Sequence, residues 1–124
     1  NSDIISLITN SSTPVISDEQ ITQGIHVNAA GGNSRLRSEL STNSIKKFDF
    51  ISCDDLDQAK IESKELMEAT EKGITSWNKI HELSDVINKK IIGRKNNQDS
   101  TLYQSLGIAI QDIAVAKYVY DQIK

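Results

Sequence analysis

His26–Leu40 reads HVNAAGGNSRLRSEL, and its first half decides the fold. The run Ile25–Ala29 passes straight into Gly31-Gly32-Asn33, which predicts a short strand ending in a glycine-containing turn. Upstream, Ile4–Thr9 is an apolar run of the same kind and ends in the polar cluster Asn10-Ser11-Ser12-Thr13-Pro14. Between the two, Ser17-Asp18-Glu19-Gln20 fits a capping box, with serine three residues before glutamine; it predicts a short helix or single turn, stopped by Gly24. Downstream, Ser38–Lys47 predicts a helix and Phe48–Cys53 a third strand. Asp54-Asp55 then opens a long amphipathic helix to about Lys72, with Leu56, Ala59, Leu66 and Ala69 apolar and Gly73 just past its end. Strands alternating with helices at this spacing predict an α/β fold with a parallel sheet. Short apolar strands are what such a sheet needs where helices cover both its faces.

The remainder of the chain has a different texture. Trp77–Lys90 predicts one or two helices, with Ile80, Leu83, Val86 and Ile87 at helical spacing and Trp77 as a core or interface anchor. Arg94–Ser100 is polar and predicts an exposed loop. Leu106–Ile123 is apolar nearly all round and predicts a helix buried on more than one side, in part against further chain or a second subunit. The chain opens on Asn1, with a core-type strand a few residues later, so the expectation is a piece cut from something longer. There is no internal repeat and no low-complexity stretch.

Composition narrows the function classes. The 124 residues are one domain by length, and a charged fraction of 25% with a net charge of −3 gives no basic excess for nucleic acid. The doublets Lys46-Lys47, Lys89-Lys90 and Arg94-Lys95 lie among acidic residues and read as solvated faces. No apolar run approaches a membrane span and no signal-peptide core is visible, so the expected setting is cytoplasmic, with no membrane partner. Asn10-Ser11-Ser12 matches a glycosylation sequon, read as chance for the same reason. The single Cys53 excludes an internal disulfide, and with Asp54-Asp55 beside it the thiol pKa should be raised, a poor setting for a nucleophile. Two histidines and one cysteine are too few for a zinc site, so no metal is expected. His26 reads as a hydrogen-bonded structural histidine, and His81 as an exposed residue of a polar helix.

In open parallel sheets, ligands bind beyond the carboxyl ends of the strands. Three predicted strand ends carry polar or glycine-rich turns: Thr9-Asn10-Ser11, Asn28–Asn33 and Asp54-Asp55. Small residues admit a flat ring close to the backbone, while hydroxyls and amides supply hydrogen bonds. The same residue types dominate turns of every kind, and Asp54-Asp55 is most simply a helix N-terminal charge pair.

The ordered set of motifs goes further. ITNSSTPVI (Ile8–Ile16) is a hydroxyl-rich turn before Pro-Val. His26, Asn28-Ala29, Gly31-Gly32 and Glu39-Leu40 follow, then Ala59-Lys60-Ile61-Glu62-Ser63 and Glu82–Ile87. The series ends in Ser105-Leu106-Gly107, Asp112 and Ala114-Val115-Ala116-Lys117. Taken in order over essentially the whole chain, they resemble the C-terminal half of the ornithine cyclodeaminase/mu-crystallin family. The resemblance implies an α/β fold, the distal half of a Rossmann-like parallel sheet over residues 1–73. Residues 74–124 would be a C-terminal helical segment packing on it, after a hydroxyl-rich strand before Ser105, and returning toward a substrate and dimerisation domain. It further implies NAD or NADP as cofactor, a small amino or imino acid as substrate, a homodimer, and a partner in the absent N-terminal half. The family's glycine fingerprint, its ribose-binding acid and its substrate-carboxylate cations belong to that half.

Residue by residue, the resemblance places Thr9, Asn10 and Ser11 on the nicotinamide-ribose side, with Asn28 and Ala29 beside them. It places Ser105 at the nicotinamide end and Glu62 toward the substrate pocket. Asn33 departs from the pattern. It occupies the position of the family's catalytic aspartate, and an amide cannot act as a general base. That argues against strict cyclodeaminase chemistry and leaves amino-acid dehydrogenase or ketimine reductase activity. Two other readings remain open: a non-catalytic, crystallin-like small-ligand binder, and an assembly fragment. On any of the three, the isolated chain is expected to be inactive.

Overall fold

The computed structural model describes residues 2–123. Its centre is a five-stranded, wholly parallel sheet in the order β1-β2-β5-β3-β4. The strands are β1 (Ile4–Leu7), β2 (His26–Ala29), β3 (Phe50–Cys53), β4 (Ile80–Glu82) and β5 (Thr101–Gln104). Register aligns the strand ends: Leu7 pairs with Ala29, Ala29 with Gln104, and Gln104 with Cys53. These four strands therefore end at one rim of the sheet.

The successive steps β1→β2, β2→β3 and β3→β4 all move the same way across the sheet, whereas β4→β5 returns. Right-handed crossovers put connections of opposite direction on opposite faces. One face accordingly carries the 3₁₀ segment Thr42–Lys47 and helices α1 (Leu56–Glu62) and α2 (Lys64–Glu71). These cover the alternate strand residues Val27, Ala29, Ile51, Cys53 and Leu102, which form the core with Leu40, Ile45, Leu66 and Ala69. The return connection carries α3 (Leu83–Ile87) and residues 88–100 toward the other face. The sequence-derived α/β architecture holds, with two more strands than the periodicity reveals.

Several elements differ from expectation, each for a local reason. Ser38–Lys47 is helical only from Thr42, because Ser41 caps the turn by accepting from the Ser44 N–H at 3.0 Å. Before it, the Ser38 N–H is committed to the Ser11 carbonyl. The long helix expected after Asp55 breaks at Ser63, whose extended backbone (ψ 98°) ends α1 while its hydroxyl caps α2. Gly73, at φ +69°, follows α2 as expected. The capping box at Ser17 forms, its N–H donating to Gln20 Oε1 at 2.7 Å, and starts a single 3₁₀ turn, Asp18–Gln20.

Trp77–Lys90, expected as one or two helices, is a 3₁₀ turn, the edge strand β4 and the five-residue α3. Ile80 is buried against β3, so tertiary packing overrides a helical spacing that only α3 uses. His81 is therefore not on an exposed helix. It is half-buried in β4 and stacks on Phe50 with ring centroids 5.1 Å apart. Trp77 packs against the core. The last helix, α4 (Ala109–Gln122), is exposed at every residue, contrary to the expected burial within this chain. Ile110, Ile113, Val115 and Tyr118 each keep about two-thirds of their surface exposed, between 64% and 68%. Among the described residues, no helix is long and apolar enough to cross a membrane.

Candidate functional site

The shared rim brings four segments side by side: Thr9–Ser11 after β1, Ala30–Asn33 after β2, Ser105–Gly107 after β5, and Asp54 after β3. Backbone bonds stitch them together, with Ala30 N–H to the Leu7 carbonyl and Ser105 N–H to the Ala29 carbonyl, both at 2.9 Å.

Two buried carboxylates lock this arrangement. Glu39 Oε1 accepts from the Thr9 N–H at 2.6 Å and Oε2 from the Gly31 N–H at 2.8 Å, so one side chain bridges the first two turns. Gly31 is required there, because a Cβ would overlap the Thr9 backbone and the Glu39 carboxylate. Asp54 Oδ2 accepts from the Ser105 hydroxyl at 3.2 Å, the Leu106 N–H at 2.9 Å and the Gly107 N–H at 2.8 Å. The Ser105 hydroxyl hydrogen is thereby committed to Asp54, and its oxygen is left to present lone pairs at the rim. Asp55 alone caps α1, accepting from the Gln58 N–H at 2.8 Å. The reading of Asp54-Asp55 as a simple helix-terminal pair thus holds for one member only.

The other residues singled out from the sequence fall in distinct places. Thr9 and Ser11 are half-buried, and the Thr9 hydroxyl accepts from the Ser11 N–H at 3.3 Å. Asn10 and Asn33 are exposed on the rim, Asn33 Oδ1 accepting from Arg37 Nη1 at 3.0 Å. Ala29 has its side chain wholly in the core and reaches the site only through its carbonyl. Asn28 lies on the opposite sheet face, donating to Ser6 Oγ at 3.2 Å and meeting His26 Nε2 at 3.0 Å. That face forms a cavity of about 610 Å³ whose lining includes Ile4, Asn28, Phe50, Arg94 and Tyr103. His26 is held by Thr101 on its other nitrogen at 2.7 Å, hydrogen-bonded as expected, and also lines this cavity. Glu62 ends α1 and accepts from Gln58 Nε2, which also reaches the Gly107 carbonyl, so the Glu62 position is tied to the Ser105 turn.

Cys53 is buried, and burial, with Asp54 nearby, pushes its thiol up to about 12. It is not a nucleophile at neutral pH. Among the described residues, no group of three His, Cys, Asp or Glu is placed to hold a metal. The sequence showed Glu39 only inside a family motif and Asp54 only as a strand-end acid beside a helix cap; that each ties separate turns of the rim together was missed.

A wholly parallel sheet with polar turns gathered at its carboxyl rim defines an α/β protein of the Rossmann-like kind. Residues 1–124 match the Ornithine cyclodeaminase/mu-crystallin family, and the chain belongs to it. Among relatives, it is 36% identical over 121 residues to a Delta(1)-pyrroline-2-carboxylate reductase of Bacillus cereus, covering 97% of this chain and 37% of that protein. It superposes on the Thermococcus litoralis Delta(1)-pyrroline-2-carboxylate reductase solved with NADH and L-proline with a TM-score of 0.88 and 30% identity, over 97% of this chain and 37% of that one. An archaeal alanine dehydrogenase dimer with bound NAD gives a TM-score of 0.83 and 35% identity, over 96% and 37%. The chain thus spans about 37% of the length of these relatives.

Proposed function

We propose that this chain is the distal portion of an NAD(P)-dependent oxidoreductase that moves hydride between nicotinamide and the α-carbon of a small amino or imino acid. The observation that carries the reading is the rim itself: three neighbouring strand ends whose hydroxyl, amide and glycine turns are fixed by buried carboxylates. The donor set fits a nicotinamide nucleoside. The Thr9 and Ser11 hydroxyls and the Asn10 amide suit ribose hydroxyls, and the glycine turn lets the backbone lie close against Thr9, Glu39 and Gln104 beneath them. Ser105, its hydrogen held by Asp54, offers an acceptor suited to a carboxamide NH₂. When bound, the dinucleotide supplies or accepts the hydride. Glu62 and Asn33 lie toward the substrate side, where Asn33 can donate or accept a hydrogen bond but cannot exchange a proton as a base.

Imine reduction or amine oxidation makes less demand on that position than cyclodeamination, in which ammonia loss and ring closure need a proton acceptor. The test is turnover of reduced and oxidised nicotinamides by the complete protein against a panel of cyclic imino acids and small amino acids. Reduction of a cyclic imino acid or oxidation of a small amino acid is expected; bound dinucleotide with no turnover of any substrate would refute the enzyme.

One observation favours a second reading. Asn33 leaves the rim without an acid at the family's aspartate position, which suits a protein that holds a small ligand without converting it. Such a protein binds dinucleotide and stays inactive after Asn33→Asp, whereas gain of cyclodeaminase activity refutes it. The exposed apolar side chains of α4 support a homodimer, or docking on the upstream part of the chain, and light scattering of the complete protein distinguishes dimer from monomer.

A further inference from the structure

Two of the best-buried side chains in the molecule are glutamates that the proposed hydride transfer does not use. Glu39 is 0% and Glu65 1% exposed. Buried carboxyls are costly unless each oxygen is satisfied, so their bonding pattern states what they are for.

Glu39 has one oxygen for each of two turns, Thr9 and Gly31, on adjacent strands. Its own backbone is held in turn: the Glu39 N–H donates to Glu65 Oε1 at 2.7 Å, and the Glu39 carbonyl accepts from the Val15 N–H at 3.0 Å. Glu65 projects from α2, so a continuous path runs from a core helix through both carboxyls to the rim. The floor of the glycine turn belongs to the same group. A Cβ on Gly32 would come within 2.9 Å of Gln104 Nε2 and 3.1 Å of Glu65 Oε2. Both of those atoms are buried without a hydrogen-bond partner.

We infer that Glu39 and Glu65 are a positioning couple for the dinucleotide, in which Glu39 sets the spacing of the Thr9 and Gly31 turns and Glu65 anchors Glu39 to α2. This rests on the proposed dinucleotide-binding role of the rim. The two carboxyls have unequal duties. Glu39 uses both oxygens to accept from N–H groups. Glu65 uses Oε1 alone and is the member that can carry a proton, in keeping with the upward push that burial and then Glu39 give its carboxyl. The geometry therefore separates two chemically identical substitutions. Glu65→Gln keeps the working acceptor and places NH₂ where no donor is met. Glu39→Gln turns an NH₂ group against a backbone N–H.

The test uses the complete protein, titrated with NADH and followed by amide hydrogen exchange. Glu39→Gln is expected to weaken NADH binding about tenfold or more, with the Thr9 and Gly31 amides exchanging faster by a similar factor. In turnover, the KM for dinucleotide should rise more than kcat falls. Glu65→Gln, which keeps the Oε1 acceptor for the Glu39 N–H, should lose distinctly less than Glu39→Gln in all three readouts. Gly32→Ala, which leaves the Glu39 bridge intact but lifts the turn off Gln104 and Glu65, should weaken NADH while Thr9 stays protected. It carries the test if Glu39→Gln does not fold. A folded Glu39→Gln protein with parental NADH affinity overturns the couple, as does a Glu65→Gln protein equally impaired or a Gly32→Ala protein unaffected. A parent that binds no dinucleotide overturns the proposed function itself, and that outcome is distinct from the others.

Discussion

Replacing Asp54 by asparagine removes the charge that holds the Ser105 turn. The side chain is 8% exposed and accepts from Ser105 Oγ and from the Leu106 and Gly107 N–H groups, with Leu106 reaching both oxygens at 3.1 and 2.9 Å. Asparagine keeps one acceptor oxygen and points an NH₂ group at the remaining donors. Hydrogen bonds to a charged group contribute about 1.5–3 kcal/mol each, and a buried donor left unpaired costs about 1–3 kcal/mol. Losing one such bond and orphaning one donor, allowing for relaxation, gives a local loss of roughly 2–3 kcal/mol. Amide exchange reads this directly. With about 1.4 kcal/mol per tenfold, Leu106 and Gly107 should exchange roughly 30- to 150-fold faster in Asp54→Asn, while Val27 at the sheet centre is unchanged. Asp55→Asn, which alters only the α1 cap, should leave both amides alone because asparagine caps as well as aspartate. Parental exchange at Leu106 and Gly107 in Asp54→Asn would refute the claim that this carboxylate holds the turn.

Three further outcomes follow from the same geometry. Gly31→Ala forces a methyl into the Thr9 backbone and Glu39, and should lower the thermal midpoint and dinucleotide affinity together; a midpoint equal to the parent's would mean the turn is looser than described. Cys53, buried with its thiol pushed up to about 12, should react with a disulfide reagent in neutral buffer only as fast as the protein opens, so prompt labelling of the native state contradicts its burial. Glu65 has a folded pKa raised above the ordinary 4.5, so the native state holds its proton more tightly than the unfolded chain. Stability should therefore fall as pH rises from about that ordinary value through the raised one, and Glu65→Gln should remove that fall; an unchanged pH profile would exclude Glu65 as its source.

What the sequence made legible was local. Ile25–Ala29 running into glycines, and Ser17 three residues before Gln20, carry their structure in neighbouring residues, and both formed as read. The family motifs worked for a related reason: each is short and they come in a fixed order. Elements decided at a distance were hidden. β4 is three residues long and becomes a strand because Ile80 is buried beside Ile51, a pairing across 29 positions that periodicity cannot register. α4 looks buried by composition, yet every one of its residues is exposed among the described residues, because composition reports that a partner surface is needed without saying whose. The site divides the same way. Thr9, Ser11 and Ser105 were visible as hydroxyls in turns, whereas Glu39 and Asp54 act across 30 and 51 residues respectively, to Thr9 and to Ser105. A carboxylate that binds backbone N–H groups rather than a cation has no charged partner to betray it in sequence. Buried acids that bind backbone N–H groups are thus where this fold keeps the part of its candidate site that only three dimensions reveal, and the asymmetry between Glu39→Gln and Glu65→Gln is its sharpest consequence.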